Sequence, residues 1–502
     1  MALDPRTPVV VGVGQVTVRP GEVLAPAEPA ASTEPAVLME MAARRAGEDA
    51  GGLLDRVDSV QVVEILSWRY ANAPLTLAQR LGAEPKETVQ SAVGGNSPQQ
   101  LVNKAALAIQ TGRSDVVLIA GGEAVHSRHA AHRAGSTLPW SVQDADTPPP
   151  DRRVGSDRPG MTDAEAARSV LMPVHVYPVF ENAIRLAAGE TVEEHQRRVS
   201  ELWSRFSRVA AGNPHAWDRR AHGAEEIRTP GPGNRWIAWP YPRLMNAFSG
   251  VDMAAALLLT SVGTATAVGV PRDRWVFPWA GADSHDHWFV TERLDLRSSP
   301  AMAANGRAAL GLAGIGIDDV AHIDLYSCFP SAVQMGAAAL RVGLDEPDRP
   351  LTVTGGLAFA GGPWNDYVTH SIASMVEVLR GDPGSVGVTT ALGWFATKHS
   401  IGVYSSEPPA RPFRTADPQA EVDASPARAA AVGYEGPVAI ESWSVPHDRD
   451  GTPSLGIVAC LTPDGGRWWA NTRRPEVIDA LMGDEVGGRA AVLRGDGELD
   501  LG

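Results

Sequence analysis

The stretch 87–123, ETVQSAVGGNSPQQLVNKAALAIQTGRSDVVLIAGGE, constrains the fold more than any other part of the chain. Residues 88–93 are short and apolar enough for a strand, and Gly94-Gly95-Asn96 supplies the permissive backbone of a sharp reversal. Ser97 is a natural N-cap, with Pro98 at the first helical position. Leu101, Ala105, Ala108 and Ile109 recur at helical spacing as far as Gly112, and 115–120 is a buried-strand run. A turn of this kind points backbone N–H groups and a helix N-terminus at whatever sits above it. That suits an oxyanion or an acyl carbonyl, and the same pattern also describes a plain βαβ connection.

Around this unit the chain alternates strands and helices. A strand at 8–14 ends in GVGQ, whose Gly-x-Gly lacks the fuller spacing of a dinucleotide site. Residues 21–35 read as a surface loop, 36–50 as a helix and 57–66 as a strand. The proline-rich segment 137–160 and the helices of 161–243, among them 192–211, form a long excursion, a lid over a pocket. The second half repeats the organisation: strand 320–327, helix 332–342, GGLAFAGGPWND, helix 367–380 and strand 385–392. Two such halves suggest an internally duplicated α/β fold. Beyond 406 come a polar linker (407–423) and short strands at 437–443, 454–461 and 490–494, expected to form a small β-barrel-like appendage.

At 502 residues, two or three domains are expected, and 44% hydrophobic with 21% charged residues is an ordinary globular composition. A net charge of −15 argues against nucleic acid or anionic membrane as general partners. Two cysteines, Cys328 and Cys460, give neither a disulfide framework nor a metal set and fit a reducing cytoplasm. No apolar run is long enough for a membrane span. His126, His129 and His132, interleaved with Arg128, read as a solvated basic turn, and no metal or cofactor is expected.

The motifs together resemble the thiolase superfamily over about residues 5–406. The pieces are the opening stretch with AGGEAVHSR, NAFSGVDMAAALLL, DLYSCF, GGLAFAGGP and TTALGW. With its additional C-terminal segment the chain most resembles the thiolase-like protein type 1 group, often named acetyl-CoA acetyltransferases. The resemblance implies a duplicated five-layered αβαβα fold with a loop domain at about 125–245. Its halves would be 1–268 and 269–406, with an additional β domain at 424–502. It also implies acyl transfer between CoA thioesters, with a CoA thioester or lipid as the small-molecule partner. Thiolases commonly pair through the strand edge beside the nucleophile turn, here 89–93; whether this chain is a monomer or a homodimer is left open, since the appendage could cover that edge.

Against the family pattern, the nucleophilic cysteine's place falls on Gly95 and the histidine of the Gly-His-Pro turn on Gly362, within Gly361-Gly362-Pro363. The last turn, Leu392-Gly393-Trp394, lacks the acid/base cysteine. No Claisen thiolase would work with this set. The remaining candidates are Tyr326, Cys328 and His399 for catalysis, and Gly94, Gly95, Asn96, Ser97, Ser249, Gly361, Gly362 and Pro363 for substrate binding. Tyr326, at the family's water-holding position, is suited to proton exchange with a β-hydroxyl in a retro-aldol cleavage, or is a hydrogen-bonded core tyrosine. Cys328 precedes a helix that would favour a thiolate, or is inert packing. Lys398-His399 is expected in a loop, as Schiff-base amine and general base or as a solvated pair. An enzyme with changed chemistry and a non-catalytic acyl-CoA or lipid binder both fit.

Overall fold

The computed structural model describes residues 3–22, 33–346, 349–483 and 486–501; the expected surface loop at 21–35 falls largely outside them. The first sheet has the strand order Pro8–Thr17, Asp252–Ser261, Val116–Ala124, Ser59–Val62, Glu87–Ser91, Arg152–Val154. The first two pairings are antiparallel and the rest parallel. The second sheet runs His322–Asp324, Val386–Gly393, Lys398–Ser405, Phe277–His285, Arg414–Ala416. Its central pairings reproduce those of the first: one parallel step followed by two antiparallel ones. The duplication that is faint in sequence is therefore plain in strand order and direction.

The helices Ser97–Gln110 and Tyr367–Gly381 pack together between the two sheets. Helices lie on the outer faces, giving the αβαβα sandwich. On the first sheet, Gly12 and Gly14 let the helix Pro35–Asp49 settle on the strand, since a Cβ at either would overlap the carbonyl of Ala46 or Ala42. The Gly-x-Gly of the first strand is thus a packing device. In the central layer, Gln99 accepts hydrogen bonds from Thr389 and Tyr404 of the second sheet at 2.8 Å each. Such cross-layer bonds satisfy buried polar groups while locking the two halves in register.

The expected strands 57–66 and 320–327 shrink to Ser59–Val62 and His322–Asp324. The 407–423 stretch, read as a linker, contributes the strand Arg414–Ala416 and the short helix Gln419–Asp423. The free edge beside the turn is covered by Arg152–Val154 from the long excursion rather than by the appendage. Asp151 fastens that strand by accepting from the Thr88 amide (2.8 Å) and hydroxyl (2.7 Å), and Arg152 pairs with Glu87 at 2.8 Å.

The C-terminal sheet is antiparallel, in the order Arg467–Thr472, Gly456–Leu461, Gly436–Pro446, Ala490–Leu493, Leu499–Leu501. Its longest strand also pairs with Trp236–Trp239 of the excursion. The helix Pro475–Gly483 packs on the sheet, and neither it nor the strand Arg467–Thr472 is signalled by simple alternation. Arg467 is fully buried; it pairs with Glu441 and donates to the carbonyls of Val290, Thr291 and Arg293 in the body of the sandwich. Arg467→Met should lower the unfolding free energy by ~3–5 kcal/mol, read from urea midpoints, because Glu441 loses its counter-charge and three carbonyls lose a donor. A loss below about 1 kcal/mol would show the clamp to be dispensable.

Candidate active site

The turn at 93–96 is held from two sides. The Gly94 amide, at φ +150, donates to Asn365 Oδ1 at 2.9 Å, and Asn365 Nδ2 donates to the Glu64 carbonyl at 2.9 Å. Lys398 Nζ donates to the Val93 carbonyl at 2.7 Å. Lys398 and His399 lie in the strand Lys398–Ser405 rather than in a loop. Ser97 does not act as the N-cap: Asn96 holds that position without a side-chain cap bond, and the Ser97 hydroxyl donates to the Ala92 carbonyl at 2.8 Å. Asn365 lies in the short 3-10 turn Trp364–Asp366 ahead of the central helix, which carries its side chain to Gly94.

Gly95 faces Tyr326. A Cβ on Gly95 would overlap the Tyr326 hydroxyl and lie 2.6 Å from the Leu392 carbonyl oxygen. The phenol thus fills the volume that a nucleophile's side chain would need. No hydrogen-bond partner for the Tyr326 hydroxyl, and no acceptor for the amides of Gly95 and Asn96, occurs among the described residues. Burial pushes the phenol's pKa well above its ordinary value, with neighbouring Cys328 adding to the shift, so it stays protonated. Burial likewise pushes the Cys328 thiol up to about 12, overriding the helix N-terminus that was expected to favour a thiolate.

His399 and Tyr326 line the same cavity, which measures about 20 Å³. That is room for one water or one oxygen atom. His399 Nε2 is held by the Ala396 carbonyl (2.9 Å) and by buried Asp286 (3.1 Å), which fixes the ring as a bracing group. Five cavities stand out among the described residues, and Gly95, Cys328 and Gly362 line none of them.

Two groups close the site, of which only the first was missed by sequence reasoning. Tyr177, from the helix Pro173–Ala188, stacks on Phe329 with ring centroids 4.4 Å apart. Its hydroxyl donates to the Trp394 carbonyl (3.0 Å) and accepts from the Ala396 amide (2.9 Å), pinning two residues held at positive φ. Nothing in the helical pattern around Tyr177 marks it as reaching that far. On the other side, the Ala247 amide bonds the Cys328 carbonyl, the Phe248 amide that of Leu357, and the Gly362 amide that of Phe248. Gly361 lies against Met253, Gly362 and Pro363 follow it inside the wall, and Ser249 is half-buried at its rim.

Residues 417–498 match the thiolase-like protein type 1 additional C-terminal domain. A monomeric SCP2-thiolase-like protein type 1 from Mycobacterium smegmatis is similar over 100% of both chains, at 33% identity and a TM-score of 0.83. The chain belongs to the thiolase-like protein type 1 family. The dimeric peroxisomal thiolase of Saccharomyces cerevisiae shares the fold over 81% of this chain and 99% of its own, at 13% identity and a TM-score of 0.55. The Ltp2-ChsH2(DUF35) aldolase does so over 80% and 98%, at 18% identity and a TM-score of 0.59. No curated protein matches. In this thiolase-like chain the fold is kept, Tyr326 packs against Gly95, and Tyr177 holds the turn at 394–396.

Two outcomes follow for the site. Gly95→Ala should destabilise the protein by ~1–3 kcal/mol through overpacking, whereas Gly362→Ala, with its nearest neighbours at 3.4 and 3.5 Å, should change the melting temperature little. Equal shifts would show that the Tyr326 contact is not the constraint. The second outcome concerns Glu123, which accepts from the amides of Leu66 (2.8 Å) and Ser67 (2.7 Å) and so steadies the loop that Asn365 grips. Burial raises its carboxyl from 4.5 to about 7. A raised carboxyl favours folding below its unfolded value and loses that contribution as pH climbs through the folded one. Glu123→Gln should therefore flatten the fall in stability between pH 4.5 and 7 by up to ~3 kcal/mol, and an unchanged slope in urea titrations would reject the assignment.

Proposed function

We propose that this protein binds an acyl-CoA or related lipid thioester without performing Claisen chemistry. The observation that carries the reading is the turn at Gly95. It keeps two unclaimed amides, those of Gly95 and Asn96, beside a neutral phenol, and it has no nucleophile. Donors without partners beside one another can accept a carbonyl oxygen, and with no attacking group the thioester is held rather than cleaved. The absence of a histidine at Gly362 and the protonated Cys328 thiol support the same reading. The space beside Tyr326 takes only an oxygen atom, so a pantetheine arm enters by displacing the half-buried 247–250 segment.

A second reading rests on the same phenol. In a retro-aldol cleavage of a β-hydroxyacyl-CoA, Tyr326 would exchange a proton with the hydroxyl, and an aldolase shares this fold. Burial holds the phenol protonated, which suits a donor and opposes a base, so binding ranks first. The covered edge at Arg152–Val154 supports a single chain as the working unit, and 424–502 acts as a module bracing the excursion.

Calorimetric titration with CoA, acetyl-CoA and longer acyl-CoAs, run beside thiolysis and β-hydroxyacyl-CoA cleavage assays, tests the proposal. Saturable binding of an acyl-CoA, weakened by Tyr326→Phe and accompanied by no turnover, is the expected result. Turnover abolished by Tyr326→Phe would install the lyase reading instead, and no binding by any thioester would end both.

A further inference from the structure

A second cavity opens on the far side of the same turn. It measures about 310 Å³, within the range of small-molecule pockets. Its mouth is exposed at Lys104, Gly155, Ser156 and Asp417, and its floor is buried at Asn96 and Lys398. We propose that this cavity is a covalent binding site for small aldehydes or ketones, with the Lys398 amine as the group that captures the carbonyl carbon.

Four observations carry the assignment. Lys398 is 6% exposed, and among the described residues no carboxylate pairs with it. Its Nζ is gripped instead by two backbone carbonyls, Val93 at 2.7 Å and Ser156 at 2.6 Å. Carbonyls only accept, so they hold two N–H bonds in the ammonium and in the free amine alike. The remaining position, a proton in one form and the lone pair in the other, is left for the cavity, whose Trp288 ring centroid lies 5.9 Å from Nζ. Buried polar atoms with no partner, Asn96 Oδ1, Gln100 Oε1 and Thr415 Oγ1, belong to residues of the same lining, and they suit the polar groups of a captured ligand.

Desolvation lowers the amine's pKa from 10.5 to about 8, so at neutral pH about a tenth is free base, against roughly one part in three thousand for an exposed lysine. Capture balances without an oxidant. The lone pair forms the N–C bond while the carbonyl π pair moves to oxygen, which takes a proton from water. The hydroxide left behind takes one of the two N–H protons, giving the neutral carbinolamine; its hydroxyl then takes a proton from solvent and leaves as water while the nitrogen lone pair forms the C=N bond, giving a protonated imine whose single N–H keeps one of the two backbone carbonyls.

With only three lysines in the chain, Lys86, Lys104 and Lys398, the experiment has internal controls. The full chain is incubated with propanal and cyanoborohydride at pH 7, and propylation is mapped by peptide mass spectrometry. Lys398 should be labelled at least about tenfold faster than Lys86, whose side chain is 76% exposed, and urea denaturation should erase the difference. Lys398→Arg, checked for folding by its melting curve, should remove the fast phase. Labelling of Lys398 no faster than Lys86 in the folded chain would overturn the proposal, whether or not the variant folds. The proposal is independent of thioester binding, since neither reagent contains a thioester.

Discussion

The helix Pro173–Ala188 is a wedge on which both the appended sheet and the closed site depend. One of its faces meets the C-terminal sheet: Asn182 donates to the Trp443 carbonyl at 2.9 Å, and Ser442 and Ser444 donate to the carbonyls of Val179 and His175. The other face carries Tyr177 into the turns. A side chain that crosses from an excursion to the centre of a sandwich has to be located by rigid support on both sides, and here the appendage supplies half of that support.

The wedge is also where the protein keeps its most concentrated buried charge. Glu181 is reached by His195, Tyr241 and Gln334, and the far nitrogen of His195 meets Glu190, which Arg198 pairs with at 2.7 Å. Burial alone would raise the Glu181 carboxyl, and the bonds from His195 and its other donors reverse that and hold it below its ordinary value. Such a network adds little net stability, because desolvation offsets the attraction, but it has few alternative arrangements and so fixes geometry. Ser331, at the start of the helix Pro330–Leu340, bonds Tyr241 and the Tyr177 carbonyl, which ties the turn bearing Cys328 to the same network.

Local periodicity carried most of the sandwich. Helix and strand spacing around Gly94–Ser97 and in 367–380, with small residues at the turns, was enough to place the central layer and to suggest two halves. It also raised the expectation that Gly95 and Gly362 stand where the related family carries catalytic side chains. What local pattern could not carry were contacts between residues far apart in the chain: Tyr177 with Trp394, Asn365 with Gly94, Lys398 with Val93. Each is made by an ordinary residue type at an ordinary helical or strand position, and only the packing of distant segments gives it a role. The strand Arg467–Thr472 was hidden for a related reason, since its arginine, polar in composition, is buried by partners elsewhere.

The contact between Gly95 and Tyr326 also bears on how such a chain changes over time. A cysteine placed at 95 would meet the phenol and the Leu392 carbonyl together, so no single substitution puts a thiol into a relaxed turn there. Replacing Tyr326 first would empty a buried site before anything is gained. Taken singly, each change is worse than the present arrangement, so the two positions are coupled: a side chain at 95 and a phenol at 326 exclude one another by packing alone.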